Sequence, residues 1–253
     1  MLDTDPRKLQ FFYGTAEQPC PYIEGRSECK AVTELAGPGA PHLHDMLSRA
    51  GFRRSHGIAY RPACRGCNAC VPVRVVVDGF RPSRSMRRVM KRNEDLQASE
   101  RPAIATLEQY DLFEAYEVTR HGDGDMAMMD FTDYRAMVED SPVDTRIIEY
   151  REPDGRLAAV ALTDWLSDGL SGVYKFFAVD RARSSPGTYV ILWHIEHARA
   201  LGLPYVYLGY WIGASQKMAY KMRFQPLHAL DGVQWVPFEP GMTITDGMDI
   251  AAV

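Results

Sequence analysis

The sequence has no apolar run long enough to cross a membrane. A transmembrane helix needs about 20 consecutive apolar residues, and no segment of the 253 residues approaches that length. The first residues, MLDTDPRKLQFFYG, contain two aspartates and lack the apolar core of a targeting peptide. We therefore expect a cytoplasmic protein without a membrane partner.

Cysteine is scarce, and this argues against a fold built on disulfide bonds. The chain has five cysteines, an odd number, and three of them fall in the segment PACRGCNAC at residues 62–70. In a chain that shows no targeting peptide, such cysteines are typical of reduced thiols or metal ligands.

Acidic residues are almost absent between residues 49 and 92. This segment has twelve Lys and Arg residues and one acidic residue, Asp78, although the whole chain has a net charge of -4. A basic segment in an otherwise acidic chain indicates a local site for a polyanion. The alternative is a solvated basic face.

The apolar pattern predicts a mixed α/β fold in two parts. The change of charge near residue 100 predicts an N-terminal, cysteine-containing basic region at 1–100 and a catalytic domain at 101–253. In the second part, the pattern predicts three successive strands, a helix from Thr188 to about Leu201 and one further strand. The segments with strand periodicity are TRIIEY, LAAVALTDW, GVYKFFAV and YVYLGYW. We expect the ligand site where the third strand leads into the helix.

Residues 84–100 are predicted to form a helix with one cationic face. Its cations recur at helical spacing, Met86, Val89 and Met90 take the opposite face, and Ser83 or Ser85 is the expected N-cap. Like charges at this spacing destabilise a helix, so a phosphate backbone against the face would stabilise it. The five cations are Arg84, Arg87, Arg88, Lys91 and Arg92.

The strand GVYKFFAV, the turn SSPGT and the following helix resemble the central unit of the acetyltransferase-like (GNAT) fold. The resemblance implies a turn that binds the coenzyme A pyrophosphate through backbone N–H groups. The family turn reads Gln/Arg-x-x-Gly-x-Gly/Ala, whereas Ser184-x-x-Gly187-x-Tyr189 keeps one glycine, and Pro186 removes an N–H group. The turn therefore disfavours acetyl-CoA, but Gly187 and Thr188 at the helix N-terminus still suit another phosphate.

The segment LGYWIGASQKMAYKMRFQP places aromatic residues beside cations. Such a pattern can stack a nucleic-acid base and hold its phosphate; the alternative is a tyrosine-rich strand end with surface lysines. The residues are Tyr207, Tyr210, Trp211, Tyr220, Lys217, Lys221 and Arg223.

Five long motifs, in matching order between about residues 10 and 235, resemble the bacterial aspartate/glutamate leucyltransferases, relatives of the eukaryotic arginyl-tRNA–protein transferases. The motifs are FYGTAEQPCPYIEGR, GFRRSHGIAYRPACRGCNACVPVRV, FRPSRSMRRVMKRN, YEVTRHGDGDM and YLGYWIGASQKMAYKMRFQP. The resemblance implies a GNAT-like acyltransferase core behind a smaller cysteine-bearing region. It implies transfer of leucine from leucyl-tRNA to the N-terminal Asp or Glu of proteins, which marks them for degradation by the N-end rule. We then expect leucyl-tRNA and acidic acceptor proteins as partners, with no DNA. One departure is the turn SSPG, where the family has an Arg-Ser-Leu-Gly-like sequence.

This implied reaction assigns roles to individual residues. An acidic first residue on the acceptor requires a cation near the amine pocket, and the candidates are Lys217, Lys221 and Arg223. The residues expected to line the reaction centre are Tyr174, Lys175 and Tyr210. The residues expected to bind tRNA are Arg84, Arg87, Arg88, Lys91, Arg92, Gly187 and Thr188. The transfer itself requires no cofactor.

The cysteines form a separate candidate site. Cys64, Cys67 and Cys70 are spaced like the first three ligands of a ferredoxin-type run, but Arg74 stands where the fourth cysteine would be. Cys20 is the candidate fourth ligand for zinc or an iron–sulfur cluster. The related arginyl transferases are associated with such a cluster, so the resemblance implies that option; reduced thiols in a tight loop are the alternative.

Two other functions remain open at this stage. One is a GNAT-type N-acetyltransferase with a metal-binding module, against which the single glycine of the turn argues. The other is a non-enzymatic, zinc-containing RNA-binding protein, against which the turn–helix–strand core argues.

Overall fold

The structure is a computed structural model that describes residues 10–122, 124–242 and 244. The prediction that the chain lacks a targeting peptide rests largely on residues 1–9, which lie outside the described residues. The helices are α1 Ala40–Arg49, α2 Arg84–Arg92, α3 Leu107–His121, α4 Phe131–Glu139, α5 Pro186–Ala200 and α6 Gln216–Ala219. The strands are β1 Tyr13–Gly14, β2 Gln18–Pro19, β3 Ser27–Glu28, β4 Lys30–Glu34, β5 Arg53–Ser55, β6 Ile58–Pro62, β7 Val71–Val76, β8 Gln97–Pro102, β9 Thr145–Arg151, β10 Leu157–Leu166, β11 Gly169–Phe177, β12 Tyr205–Trp211, β13 Leu227–Asp231 and β14 Gln234–Pro237.

A mixed sheet of eight strands forms the centre of the molecule. Its order is β14-β13-β7-β12-β11-β10-β9-β8, and its neighbours are antiparallel except for the parallel pair β11 and β12. A smaller sheet, β1-β4-β6-β5, and the pair β2-β3 belong to the N-terminal region. Strand β7 comes from that region but lies inside the large sheet, so the sheet crosses residue 100. The domain boundary there stays a prediction.

Helices cover both faces of the large sheet, and strand β10 shows why. Its side chains alternate between the two faces: Val160 and Leu162 pack with Phe113 of α3, whereas Ala159 and Ala161 pack with Val190 of α5. Since both faces are buried, β10 is apolar over nearly its whole length, as expected for a strand between two helical layers. The predicted α/β class is confirmed, including the GNAT-like order of three antiparallel strands, helix α5 and strand β12.

The helix predicted at 84–100 ends early. Helix α2 ends at Arg92, and part of the remaining segment forms strand β8 at the sheet edge, paired with β9. The buried side chain of Asn93 causes the break, because it donates hydrogen bonds to the carbonyl oxygens of Val89 (2.8 Å) and Ser184 (2.9 Å). The helical spacing of residues 84–100 could not predict this end, because the Ser184 carbonyl and strand β9 are both distant in the sequence. The N-cap at Ser83 and the inward face with Met86 are confirmed.

Candidate active site

The parallel strands β11 and β12 separate toward their C-terminal ends. They pair only from Gly169 opposite Tyr205 to Ser171 opposite Tyr207. Beyond that level each strand has a bulge. Val173 is an extra residue of β11 in its pairing with β10, and Leu208 is an extra residue of β12 in its pairing with β7. Such bulges bend strands and interrupt pairing. They open a gap between residues 172–177 of β11 and 209–211 of β12, which we call the interstrand cleft.

Arg53 of strand β5 reaches into this cleft. Its Nη2 donates hydrogen bonds to the carbonyl oxygens of Gly172 (2.7 Å) and Val173 (3.3 Å), at the level where β11 and β12 no longer pair. Gly209 lies against the guanidinium: a Cβ there would be 2.9 Å from Arg53 Nε, and its φ of +72° also favours glycine. The Arg53 Nη1 atom is buried and has no hydrogen-bond partner among the described residues.

Two lysines accompany Arg53. Lys221 is 6% exposed, and its Nζ donates to the Tyr210 carbonyl oxygen. Burial, followed by the positive charges of Arg53 and Lys175, lowers the pKa of Lys221 to about 7. Lys175 Nζ lies 3.5 Å from the Tyr220 hydroxyl. Within the described ranges, no carboxylate lies in ion-pair distance of these three cations. The cleft is therefore strongly electropositive.

The two tyrosines predicted to line the reaction centre have hydroxyl partners already. Tyr174 donates to the carboxylate of Glu117, a buried residue of α3, and burial raises the Tyr174 pKa. The Tyr210 hydroxyl lies 2.9 Å from the Gly51 carbonyl oxygen and 3.2 Å from that of Tyr60. Proton transfer through either hydroxyl would require these bonds to break, so both tyrosines first serve to hold the cleft wall. The sequence analysis missed Glu117, because nothing in its helix pattern marks it as buried.

The candidate acceptor cations are placed differently from one another. Lys221 lies in the cleft wall, but Lys217 on α6 and Arg223 just after it are exposed to solvent. Arg53, which sequence reasoning also missed, comes from the N-terminal region. Its sequence signal is weak: Arg53 adjoins a second arginine, Arg54, which is buried, an unusual position for an arginine.

The aromatic residues near β12 pack against other side chains and do not form an exposed stacking surface. The Tyr207 hydroxyl contacts Asp168 and accepts a hydrogen bond from Arg74, and the Trp211 ring packs edge-on to Phe238 at 5.1 Å between ring centroids. Tyr220 packs against Phe224 in the same manner. The structure favours the tyrosine-rich strand end over a base-stacking surface.

Helix α2 presents its five predicted cations to solvent and ends near the cleft. Arg84, Arg87, Arg88, Lys91 and Arg92 are all exposed. The Asn93 hydrogen bond to Ser184 joins the end of this helix to the turn before α5. Because β11 leads into that turn, the cationic helix and the cleft lie at the same edge of the sheet.

The turn itself offers few donors for a phosphate. Pro186 has no N–H, and the Thr188 N–H bonds the Ser185 carbonyl oxygen at 3.0 Å. Of the first three helical residues, at most Gly187 can therefore donate. Gly187 also has a packing role, since a Cβ there would lie 3.1 Å from the Phe177 ring.

The four predicted ligand cysteines line one cavity, which we call the cysteine cavity. It has a volume of about 80 Å³, is partly open to solvent, and is also lined by Tyr22, Tyr60 and Tyr210. Burial and the neighbouring thiols raise the pKa of Cys70 to about 12. The cysteines concerned are Cys20, Cys64, Cys67 and Cys70.

Four thiols are a suitable donor set for zinc or an iron–sulfur cluster. However, among the residues described, no group of three or more His, Cys, Asp or Glu side chains is arranged to hold a metal ion. The metal site at these cysteines therefore stays a prediction. The cysteine cavity shares Tyr210 with the cleft wall, so the cysteines lie beside the reaction region and not apart from it.

No helix in the described part of the chain combines the length and apolar character needed to span a membrane.

Comparisons with known proteins identify the family. A model described as "Arginine-tRNA-protein transferase, N terminus" matches residues 18–88, and the corresponding C-terminus model matches residues 108–231. The aspartate/glutamate leucyltransferase of Paramagnetospirillum magneticum is 56% identical over 93% of this chain and 96% of its own length. That of Gluconacetobacter diazotrophicus is 55% identical over 94% of this chain and 92% of its own length.

A solved structure, the C-terminal domain of a putative lysylphosphatidylglycerol synthetase from Agrobacterium fabrum, matches with a TM-score of 0.46 and 15% identity. The match covers 82% of this chain and 65% of that one, and a likeness this weak carries no argument about function. The matches to family models and curated relatives confirm the resemblance that the sequence motifs indicated. The chain belongs to the aspartate/glutamate leucyltransferases, aminoacyltransferases within the arginine-tRNA-protein transferase family.

Proposed function

We propose that the protein transfers leucine from leucyl-tRNA to the N-terminal Asp or Glu of acceptor proteins in the cytoplasm, marking them for degradation by the N-end rule. The observation that carries this proposal is the position of the interstrand cleft. Its three cations, Arg53, Lys175 and Lys221, lie at the sheet edge where the cationic helix α2 ends. A polyanionic donor and an acidic acceptor can meet there.

The reaction is aminolysis of an ester. The acceptor α-amine attacks the ester carbonyl, a C–N bond forms, the C–O bond to the tRNA ribose breaks, and the amine proton replaces the acyl group on the ribose oxygen. The α-amine has an ordinary pKa of about 8, so a usable neutral fraction exists at pH 7 without a strong base. Positioning of the amine and stabilisation of the developing oxyanion then supply most of the catalysis.

The cleft residues suit this chemistry. Lys221, with a pKa of about 7, is a group whose charge can change at neutral pH. Lys175 lies on the same strand as the carbonyls bound by Arg53 and adds positive charge where the oxyanion forms. We assign Lys217 and Arg223, which are exposed, to outer contacts with the acceptor chain.

Helix α2 is proposed to bind the tRNA. Its exposed cations repel one another, and phosphates would offset that repulsion. The Asn93 contact with Ser184 directs this surface toward Gly187 and Thr188 at the start of α5.

The N-acetyltransferase alternative is disfavoured for two reasons. The turn before α5 has at most one amide for a pyrophosphate within its first three helical residues. In addition, the carbonyl oxygens of Gly172 and Val173 in the cleft already accept hydrogen bonds from Arg53, so they are not free to bind a coenzyme.

The cysteines stay outside the transfer step in this proposal. Zinc or an iron–sulfur cluster at Cys20, Cys64, Cys67 and Cys70 would tie the N-terminal region together, and reduced thiols are the alternative. Metal analysis of anaerobically purified protein decides between them.

The decisive experiment is a transfer assay with defined substrates. Purified protein is incubated with radiolabelled leucyl-tRNA and peptides that differ only in their first residue: Asp, Glu, Asn or Gln. We expect leucine on the Asp and Glu peptides. In a parallel reaction with radiolabelled acetyl-CoA we expect no acetyl transfer. Acetylation of the peptides, or tRNA binding without any transfer, would instead support one of the two alternatives.

A further inference from the structure

Two adjacent arginines in strand β5, Arg53 and Arg54, differ in how many of their guanidinium nitrogens are hydrogen-bonded. Arg54 has all its donors engaged: Nε and Nη2 each lie 2.8 Å from the Asp164 carboxylate, and Nη1 donates to the His56 carbonyl oxygen. Arg53 uses Nη2 for the cleft carbonyls, but its Nη1 is buried without a partner among the described residues. A buried guanidinium nitrogen without a hydrogen bond is costly. The contacts within the fold therefore do not explain why the Nη1 of Arg53 is buried without a partner.

The electrostatic surroundings of Arg53 also lack an anion. A cation lies close to it in the cleft wall, because the charge of Arg53 is the leading one that lowers the Lys221 pKa, followed by that of Lys175. No ion pair of Arg53 exists within the described residues. A carboxylate placed here would fill an unused donor and relieve the repulsion among three cations.

The orientation of Arg53 is set in advance. The two carbonyls in β11 hold Nη2, and the guanidinium fills the space that a side chain at position 209 would need, since a Cβ on Gly209 would lie 2.9 Å from Arg53 Nε and 3.1 Å from Nη1. A planar fork held in this way suits a carboxylate, whereas a lysine offers only a point charge.

Arg53 lies beside the cysteine cavity, because it pairs in the small sheet with Tyr60, which lines that cavity. Arg53 is close enough to Tyr22 and Tyr210, both of which line that cavity, to lower their pKa values against the larger raising effect of burial. The cavity has a volume of about 80 Å³ and is partly open to solvent.

We propose that Arg53 is the specificity-determining residue for the acceptor, and that its unpaired Nη1 binds the side-chain carboxylate of the N-terminal Asp or Glu. This rests on the proposed function, since it assigns one residue of that reaction to one part of the acceptor. Bound there, the carboxylate holds the α-amine near Lys175 and Lys221, where the ester carbonyl must lie. Neutral first residues fail because they leave the buried Nη1 of Arg53 without a charged partner.

The competing explanation is that Arg53 only braces the cleft by bonding the carbonyls of β11. Loss of total activity cannot separate the two, because both explanations predict it. Selectivity can. When an Asp peptide and its Asn counterpart compete in one reaction mixture, the ratio of their products does not depend on how much of the enzyme is folded.

The experiment compares the wild type with Arg53→Gln, Arg53→Lys and the control Arg135→Gln, an exposed arginine on α4. We expect the Asp-over-Asn preference to fall by about ten- to hundredfold in Arg53→Gln, as for loss of a charge-assisted hydrogen bond. Arg53→Lys should be intermediate, because it keeps the charge and loses the fork. The control should keep the wild-type ratio, and binding of leucyl-tRNA should be the same in all four proteins.

Each outcome decides the proposal. A wild-type preference retained in Arg53→Gln, with only the total rate reduced, overturns it. If Arg53→Gln shows no transfer, Arg53→Lys gives the ratio, and a wild-type ratio there also overturns it. A wild-type enzyme that transfers no leucine at all would refute the proposed function instead, so the two failures are distinguishable.

Discussion

At the scale of single residues, the most informative group is Lys221. Its ammonium is buried, hydrogen-bonded to the Tyr210 carbonyl oxygen and close to two other cations, so the charged form is disfavoured in the folded protein. An amine with a pKa of about 7 is half-charged near neutral pH. The same residue therefore links the charge of the cleft to the pH of the solution and to stability.

The first prediction concerns the pH dependence that Lys221 causes. Its folded pKa, about 7, lies below its ordinary value of 10.5, so between these values the unfolded chain binds more protons. The contribution of Lys221 to the free energy of unfolding must then rise with pH across this window and fall toward pH 7. We expect the wild-type free energy of unfolding minus that of Lys221→Met to rise by about 1.4 kcal/mol per pH unit.

Urea denaturation at pH 7.5, 8.5 and 9.5 measures this difference (values chosen to lie roughly inside the window). Subtracting the variant removes the titrations that both proteins share, such as those of Cys70 and the buried tyrosines. Parallel pH profiles for the two proteins would show that Lys221 has an ordinary pKa and does not carry the charge change of the cleft.

At the scale of elements, helix α2 combines a packed inward face with an outward face on which five cations lie three and four residues apart. Met86 is 2% exposed and Ser83 caps the first turn by accepting the Met86 N–H, so packing and capping hold the helix. The outward cations lie three and four residues apart. Their arrangement is better explained by a bound polyanion than by stability.

The second prediction is that neutralising this face weakens tRNA binding without harming the fold. In Arg87→Gln/Arg88→Gln/Lys91→Gln we expect lower affinity for leucyl-tRNA and a salt dependence shallower by about one logarithmic unit for each phosphate that the helix no longer binds. The free energy of unfolding should stay equal or rise by a few tenths of a kcal/mol, roughly, because repulsion is removed.

Fluorescence anisotropy with labelled tRNA at several salt concentrations measures both the affinity and its salt dependence. The control is Arg101→Gln/Arg135→Gln, which removes two exposed arginines outside α2. Equal affinity and equal salt slopes for the triple variant and the wild type would exclude α2 as the tRNA surface.

At the scale of the whole molecule, one buried ionic network joins the small sheet to the large one. Arg54 of β5 pairs with Asp164 of β10, and Asp164 also accepts from Thr145 at 2.6 Å and lies 3.5 Å from His44 of α1. All four side chains are buried. This network positions strand β5, and therefore Arg53, against the interstrand cleft.

The third prediction is that breaking this network is costly. Asp164→Asn leaves the Arg54 guanidinium buried without its counter-charge, so we expect a loss of about 3–5 kcal/mol in the free energy of unfolding. As a control, Asp180→Asn removes an exposed partner of Arg156 and should cost no more than about 1 kcal/mol. Denaturant titration of both variants at constant pH gives the comparison, and a loss for Asp164→Asn no larger than that of the control would show that the two sheets are joined by apolar packing alone.

Local pattern predicted much of the core. Strands β9 to β12 and helix α5 were recognisable because their apolar residues repeat with the period of one element, and they follow one another along the chain. Strand β8 and helix α4 were missed: β8 is mostly polar at the sheet edge, and its stability comes from pairing with β9. The end of α2 was missed because Asn93 finds a carbonyl 91 residues away.

The features of the candidate site also fall into two groups, those that short segments predict and those that need the tertiary structure. The sequence by itself determined the family, the acyltransferase-like core and the exposed cations of α2, since these depend on motifs and spacings within short segments. Only the tertiary structure decided which cations enter the interstrand cleft. Lys221 is buried there while Lys217 and Arg223 are not, and Arg53 arrives from a strand about 120 residues before the carbonyls it binds. Burial, loss of hydration and the absence of a counter-charge arise only when distant segments meet, so no local pattern in the chain could contain them.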